Sequence, residues 1–332
     1  MRPNLFSFAT SELSQDAFLC WLLAWADAKY VANNTALPQV ARRLLDTIYE
    51  KFGSPPPAQY TKIEIHKQEA GIDVLCIVNE RDAILIEDKV GTKQHSDQLR
   101  RYLTHVSSKF GFADNCIFPI YVQTGDQSDY REVQQARFQT LHRRDLLTIL
   151  ESPEARVASQ QSDILADFTH HLCAIEDEVQ SFSSLPLAQW SWNAWKGFYT
   201  RLQQELQDGN WDYVANPSGG FLGYYWHFLS DVECKPYLQL EQTKFCFKIE
   251  VQDEPQRAVL RSLWHDKIAR ECHKHDLRVK RPDRFGHGTW MTVAMLDEEY
   301  RQVNAQGLLD LAGTVALMHK AESLLTACVS SV

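Results

Sequence analysis

Residues 72–89 read IDVLCIVNERDAILIEDK, and the reading of this stretch decides how the chain is built. Ile72 to Val78 and Ala83 to Ile86 are nearly continuous apolar runs, the pattern of strands covered on both faces. Asn79-Glu80-Arg81-Asp82 between them has the composition of a hairpin turn. The second run ends on Glu87-Asp88-Lys89. Glu87 and Lys89 stand two residues apart on one strand, so their side chains leave the same face and Asp88 leaves the other. Asp73 opens the preceding strand, and a tight turn sets it beside Glu87. Two acids and a lysine therefore converge at one end of a hairpin.

Outward from this hairpin, Lys62 to Lys67 alternates, with Ile63 and Ile65 on one side and Glu64 and His66 on the other, and predicts a further strand. A helix is expected over residues 10–30, with Thr10, Ser11 or Ser14 as caps and Glu12 and Asp16 near its positive end. A second runs from Gln39 to Phe52 and stops at Gly53-Ser54-Pro55-Pro56-Pro57. Downstream, Thr92 can cap a helix from Lys93 to about Phe110 that turns Leu99, Tyr102, Leu103 and Val106 inward. Cys116 to Val122 reads as a buried strand in which Pro119 suggests an edge or a bulge. Helices are expected at about 130–151 and 157–180. The order α, β, β, β, α, β describes an α/β domain with helices packed on a central mixed sheet.

The texture changes near Ser181-Phe182-Ser183-Ser184-Leu185-Pro186, which sets a boundary near 183. Residues 1–183 form the first domain, and 184–332 are expected to form an α+β accessory domain for substrate or partner recognition. That second part begins with a Trp-rich helix at about Leu187–Leu206. Strand-like stretches follow at Gly220–Leu229, Leu238–Val251 and Gly288–Met295. Helices are expected at about Gln256–His273 and Glu298–Cys328.

The chain has 332 residues, 44% hydrophobic and 23% charged, with nine tryptophans, and is expected to fold into compact domains. A net charge of −9 argues against a protein that coats nucleic acid, because such binders are basic overall. It leaves room for an enzyme whose acids hold metal. The eight cysteines form no CxxC pair and sit mostly in apolar runs, which points to reduced, buried thiols and a cytoplasmic location. Ala17 to Ala26 is apolar, but Glu12 and Asp16 precede it and it is too short to span a bilayer. It reads as a buried helix, with no membrane association.

Asp73 and Glu87 are suited to holding Mg²⁺ or Mn²⁺, which polarises a scissile phosphate and acidifies a bound water. Lys89 can orient that water or offset charge in the transition state. Gln98 and Tyr102, at i and i+4 on the next helix, share one face and can support the site or contact phosphate; a packing pair is the alternative. Glu12 is either a third acid at the metal or an ordinary first-turn helix acid. A surface ion pair between Glu87 and Lys89 is the plain alternative for the whole constellation.

Gly71-Ile72-Asp73, then Glu87-Asp88-Lys89 after the apolar Ala83-Ile84-Leu85-Ile86, resembles the PD-(D/E)XK nuclease superfamily. Gln98-Leu99-Arg100-Arg101-Tyr102 is similar to the QxxxY element of several branches. Glu12 and Trp21-Leu22-Leu23, together with Ile86-Glu87-Asp88-Lys89, look like a prokaryotic branch of largely unassigned function. Ile72 replaces the proline of the family's name, and the resemblance covers about residues 10–125. It implies a restriction-endonuclease-like αβββαβ core and a Mg²⁺- or Mn²⁺-dependent nuclease acting on DNA, in defence against foreign DNA or in repair. Asp73, Glu87 and Glu12 would serve as metal ligands, with Lys89, Gln98 and Tyr102 as the other catalytic residues. The rival is a catalytically silent regulatory protein that binds nucleic acid or a partner on the same scaffold.

Residues 257–284 hold nine Lys or Arg against four Asp or Glu, a local reversal of the overall charge. Arg278, Lys280 and Arg281, with Lys93 and Arg101 in the first domain, are candidate nucleic-acid contacts; a solvated helix face is the alternative. Contact with a second copy or a partner protein is expected through the C-terminal domain. Cys272-His273-Lys274-His275 lacks the second cluster that a zinc site needs. Trp190, Trp192, Trp195, Phe198 and Tyr199 read as core or an interdomain seam.

Overall fold

The computed structural model describes residues 3–32, 36–91, 97–216 and 219–330. The chain divides into two compact units, Met1–Asp177 and Glu178–Val332.

The first unit opens with helices α1 (Glu12–Ala24) and α2 (Ala36–Lys51), followed by strands β1 (Ile63–Glu69), β2 (Ile72–Val78) and β3 (Asp82–Lys89). Helix α3 (Gln98–Phe110), strand β4 (Ile117–Gln123), helix α4 (Arg131–Gln135) and strand β5 (Gln139–His142) come next. Helices α5 (Arg143–Leu150), α6 (Pro153–Ser159) and α7 (Asp163–Gln180) complete the run. The strands form one sheet in the order β1-β2-β3-β4-β5. β1, β2 and β3 are an antiparallel meander, and β4 and β5 run parallel to β3. This is the mixed sheet that the element order predicts, in the restriction-endonuclease-like arrangement that the resemblance implies.

The apolar runs follow from two-sided burial. Val74, Cys76, Ile84 and Ile86 pack in one core with Leu19, Leu22, Leu44 and Leu45 of α1 and α2. Leu75, Ala83 and Leu85 pack in another with Leu99, Tyr102 and Val106 of α3. β3 lies in the middle of the sheet and is buried along its whole length, charged end included. At the β2–β3 turn, Asn79 and Glu80 both take positive φ, and the Arg81 N–H donates to the Val78 carbonyl.

Some expectations are corrected. Residues 130–151 are not one helix: β5 interrupts them, a four-residue strand that pairs with β4 and whose own pattern is too short to show a period. Pro119 lies on an interior strand. β5 pairs with β4 only from Ile120 onward, so Pro119 stands where β4 has one neighbour and its missing N–H costs no ladder bond on a second side. The Thr92 cap, Lys93 and the expected first turn of α3 lie outside the described residues.

The second unit contains α8 (Trp192–Leu206), β6 (Asn210–Val214), β7 (Phe221–Trp226), β8 (Lys235–Glu241) and β9 (Lys244–Glu250). It continues with α9 (Arg257–Glu271), β10 (Val279–Lys280), β11 (Trp290–Leu296) and α10 (Leu311–Ser330). Its six strands form an antiparallel sheet in the order β10-β11-β9-β8-β7-β6. Leu238 to Val251, expected as one stretch, falls on both arms of the β8–β9 hairpin, which turns at Gln242, where φ is 52°. The Tyr199 hydroxyl accepts from the Gln242 N–H and the Tyr300 hydroxyl donates to its carbonyl, so two distant aromatics hold the turn. The last helix begins at Leu311, not near Glu298.

Trp190, Trp195, Phe198 and Tyr199 are buried core, while Trp192 is exposed. All eight cysteines are free, five of them buried. Among the described residues no helix is long and apolar enough to cross a membrane. Ile84 is wholly buried on β3. Ile84→Ala is expected to lower stability by roughly 2–5 kcal/mol in urea unfolding.

Candidate active site

The β2–β3 register pairs Val74 with Ile86, so one step further Asp73 faces Glu87 across the ladder. Both project from the α3 side of the sheet, in line with Leu75 and Leu85. Lys89 follows on the same face, and its ammonium gathers the acids. Lys89 Nζ lies 2.7 Å from Glu87 Oε1, 3.7 Å from Glu12 Oε2 and 3.8 Å from Asp73 Oδ2. It also donates to the Asp88 carbonyl at 2.9 Å. Glu12, the first residue of α1, accepts from the Val90 N–H at 3.2 Å. Glu12, Asp73 and Glu87 thus all lie within 4 Å of the one ammonium.

α3 closes this face. The Gln98 amide donates to Glu87 Oε1 at 3.0 Å and to the Tyr102 hydroxyl, which in turn donates to the Gly71 carbonyl. Gly71 takes φ 88° in the two-residue turn between β1 and β2, a conformation that suits glycine. The QxxxY pair therefore touches a site carboxylate directly and ties α3 to the start of β2. Arg101 points to solvent.

The opposite face of the same strand end is also polar, which sequence reasoning missed. Asp88, which leaves the strand on that other face, is fully buried. Its Oδ1 accepts from the Gln15 amide at 2.5 Å, while Gln15 Oε1 accepts from the Thr124 hydroxyl at 2.8 Å. Asp16 is likewise buried, and its Oδ1 and Asp88 Oδ2 accept no hydrogen bond from a donor group.

Two links join this inner network to Asp73. The Asp88 N–H donates to Asp73 Oδ2 at 2.8 Å. The Gln68 amide donates to Asp16 Oδ2 at 3.1 Å and to Asp73 Oδ1 at 3.3 Å. Gln68 adopts φ 55° inside a strand, unusual for a side-chain-bearing residue, and this aims its amide at both acids. The i, i+3/i+4 spacing of Gln15 and Asp16 with Leu19 and Leu22 was the available signal, since it puts two polar groups on the buried face of α1. Gly125 is needed as well. A Cβ there would lie 1.8 Å from the Val90 carbonyl, so only glycine lets the chain leaving β4 pass the site.

Electrostatics follow from three acids and one base out of water. Burial, then the Asp73 carboxylate, raises the Glu87 pKa to about 7 against the pull of Lys89. Burial would lower the Lys89 pKa, but Glu87, Asp73 and Glu12 outweigh it and the pKa is raised. Burial, then Asp73, raises Asp16 to about 6, and burial raises Asp88 well above the carboxylate range.

The donor chemistry suits a hard divalent cation, which takes carboxylate oxygens. Glu87 Oε2 is buried and receives no hydrogen bond, so an oxygen is available for a ligand bond. As the side chains stand, no group of three His, Cys, Asp or Glu among the described residues encloses a metal position. The Lys89 ammonium holds those oxygens instead, and a cation would compete with it for them.

In the second unit, Arg278 pairs with Glu298 at 3.2 Å and Lys280 with Asp297 at 3.1 Å. Arg281 stacks over Phe285.

A sequence model of the PD-(D/E)XK nuclease superfamily matches residues 3–186. No curated protein and no solved structure matches the chain.

The raised acids give stability a pH dependence of definite sign. The folded chain keeps protons on Glu87, Asp16 and Asp88 that the unfolded chain releases above pH ~4–4.5. The contributions of Asp16 and Glu87 are full below that range and are lost as pH rises through about 6 and about 7. Without divalent cations, the melting temperature is expected to fall between pH 5 and 8. Glu87→Gln should flatten the fall, with on the order of 3 kcal/mol at stake for Glu87. An equally steep fall in the variant would show that Glu87 does not titrate there.

Proposed function

The chain belongs to the PD-(D/E)XK nuclease superfamily, and from that premise we propose a Mg²⁺- or Mn²⁺-dependent phosphodiesterase that hydrolyses DNA. One observation carries this reading: Glu12, Asp73 and Glu87 converge within 4 Å of one buried ammonium at the end of a central strand. Three carboxylates against one lysine leave negative charge in a low-dielectric setting, an expensive arrangement for a purely structural site. A divalent cation balances it.

Asp73, Glu87 and Glu12 would hold the cation. When bound, it polarises the scissile phosphate and lowers the pKa of a water. Gln98 fixes Glu87 through a hydrogen bond, and the Asp88 N–H and Gln68 amide fix the two oxygens of Asp73. Lys89 supplies a positive charge beside the reacting phosphate and can orient the attacking water through its ammonium protons. Tyr102 keeps α3 against the Gly71 turn and so maintains the Gln98 position.

The direct test incubates the protein with single- and double-stranded DNA and RNA in Mg²⁺ or Mn²⁺, alongside Asp73→Ala and Lys89→Ala. Both variants are expected to lose at least about a hundredfold in cleavage rate. Cleavage retained by both would sink the site. Binding without cleavage by the unaltered protein on every substrate would favour the silent regulatory reading. Lys89→Met separates the roles further: it frees carboxylate oxygens, so Mn²⁺ should bind at least as tightly by calorimetry while cleavage is lost.

Gln68→Gly tests the support of Asp73. Glycine tolerates φ 55° at no steric cost, and this relief of about 1 kcal/mol opposes the roughly 1–3 kcal/mol lost with the Asp16 hydrogen bond, so stability should fall by no more than about 2 kcal/mol. Loss of the amide should weaken Mn²⁺ binding or kcat by roughly 10–100-fold. Unchanged affinity and rate would leave Gln68 a bystander.

A further inference from the structure

Seven of the nine cations in residues 257–284 fall into two kinds; the other two, Lys267 over the Trp264 ring and Arg270 on the Asp266 carbonyl, lie along α9. Arg278, Lys280 and Lys274 are matched by Glu298, Asp297 and Glu271. Arg257, Arg261, Arg281 and Arg284 form no ion pair among the described residues. Arg257 donates to the Val251 and Gln252 carbonyls and to the Thr289 hydroxyl. Arg261 is more than nine-tenths buried and donates to the Phe285 and Gly286 carbonyls, both at 2.6 Å. Its guanidinium lies 4.0 Å from the Phe285 ring centroid, and that of the exposed Arg281 lies 4.2 Å from the same centroid.

A shared ring holds these two cations within about 8 Å of each other. The buried one is shielded from water and has no carboxylate to offset it, so its field reaches the surface beside Arg281 and Arg284. In a chain of net charge −9, such a concentration of unmatched guanidinium groups is unfavourable in isolation and favourable against an anion. Arg261 also anchors the segment that carries Arg281 and Arg284, so the exposed pair is presented from an ordered loop.

We propose that Arg281 and Arg284, backed by Arg261 and Arg257, form a phosphate-binding face of the second unit that holds the backbone of a nucleic acid. The ligand class rests on the proposed nuclease function; the positive face rests on the arginines themselves and their lack of acidic partners. Guanidinium groups recognise phosphate by charge and paired N–H donors, and such contacts position a nucleic acid without reading its sequence.

A binding measurement separates the two. Binding of a fluorescein-labelled DNA 20-mer, single- and double-stranded, is followed by anisotropy in EDTA, where cleavage plays no part. Arg281→Ala/Arg284→Ala should weaken binding at least about tenfold. It should also reduce the slope of log affinity against log salt by about 2, close to one unit for each phosphate that is no longer neutralised. Arg278→Ala/Lys280→Ala, whose cations are already paired, should change affinity less than about threefold.

Both altered pairs are exposed, so equal melting temperatures certify folding. Equal losses in the two double variants, or none in the first, would overturn the proposal. So would a polyglutamate peptide that competes as well as DNA, which would make the face a site for an acidic protein. Unaltered protein that binds through these arginines yet never cleaves with Mg²⁺ or Mn²⁺ would leave this face standing and remove only the nuclease reading.

Discussion

The arrangement of the first unit depends on the Lys89 ammonium being held among three carboxylates at the buried end of β3. A strand in the centre of a mixed sheet has both faces covered, so any charge on it must be answered by neighbours. Glu87 answers from the same strand, Asp73 from the next strand and Glu12 from the first turn of α1. Three elements distant in sequence are thereby fixed at one point. The imbalance of charge that remains is what a divalent cation would offset.

The reverse of the strand end shows how the geometry is kept. Asp88 projects away from the candidate catalytic face into a pocket of polar groups, where Gln15 connects it to Thr124. Arg143, itself buried between Asp126 and Glu176, donates to the Thr124 carbonyl and extends the support into α5 and α7. The Asp88 N–H returns to Asp73, so one residue links the inner network and the outer site. Buried polar networks of this kind specify geometry because leaving any member unpaired is costly.

Much of this was legible from local pattern. Period-two alternation and unbroken apolar runs located β1, β2 and β3, and the two-residue spacing of Glu87 and Lys89 put both on one face. Helical spacing of Gln98 and Tyr102 put them together as well, and Gln98 donates a hydrogen bond to Glu87. What was not legible has a common physical origin. β5 is four residues long and exists through its pairing with β4, so no periodicity announces it. The turn at Gln242 is held by Tyr199 and Tyr300, which lie 43 and 58 positions away. Gln68 reaches Asp73 through a left-handed backbone conformation that ordinary strand geometry gives no reason to expect.

Sequence alone determined the grouping of Asp73, Glu87 and Lys89 at one hairpin end and the two-sided burial of the central strands. These are consequences of side-chain period and apolar composition, which act over a few residues. Only the tertiary structure decided that Asp88 is buried beside Asp16, that Glu12 reaches Lys89, and which arginines of residues 257–284 lack an acidic partner. Each depends on which distant element packs against a given face, and burial and charge pairing are properties of that packing.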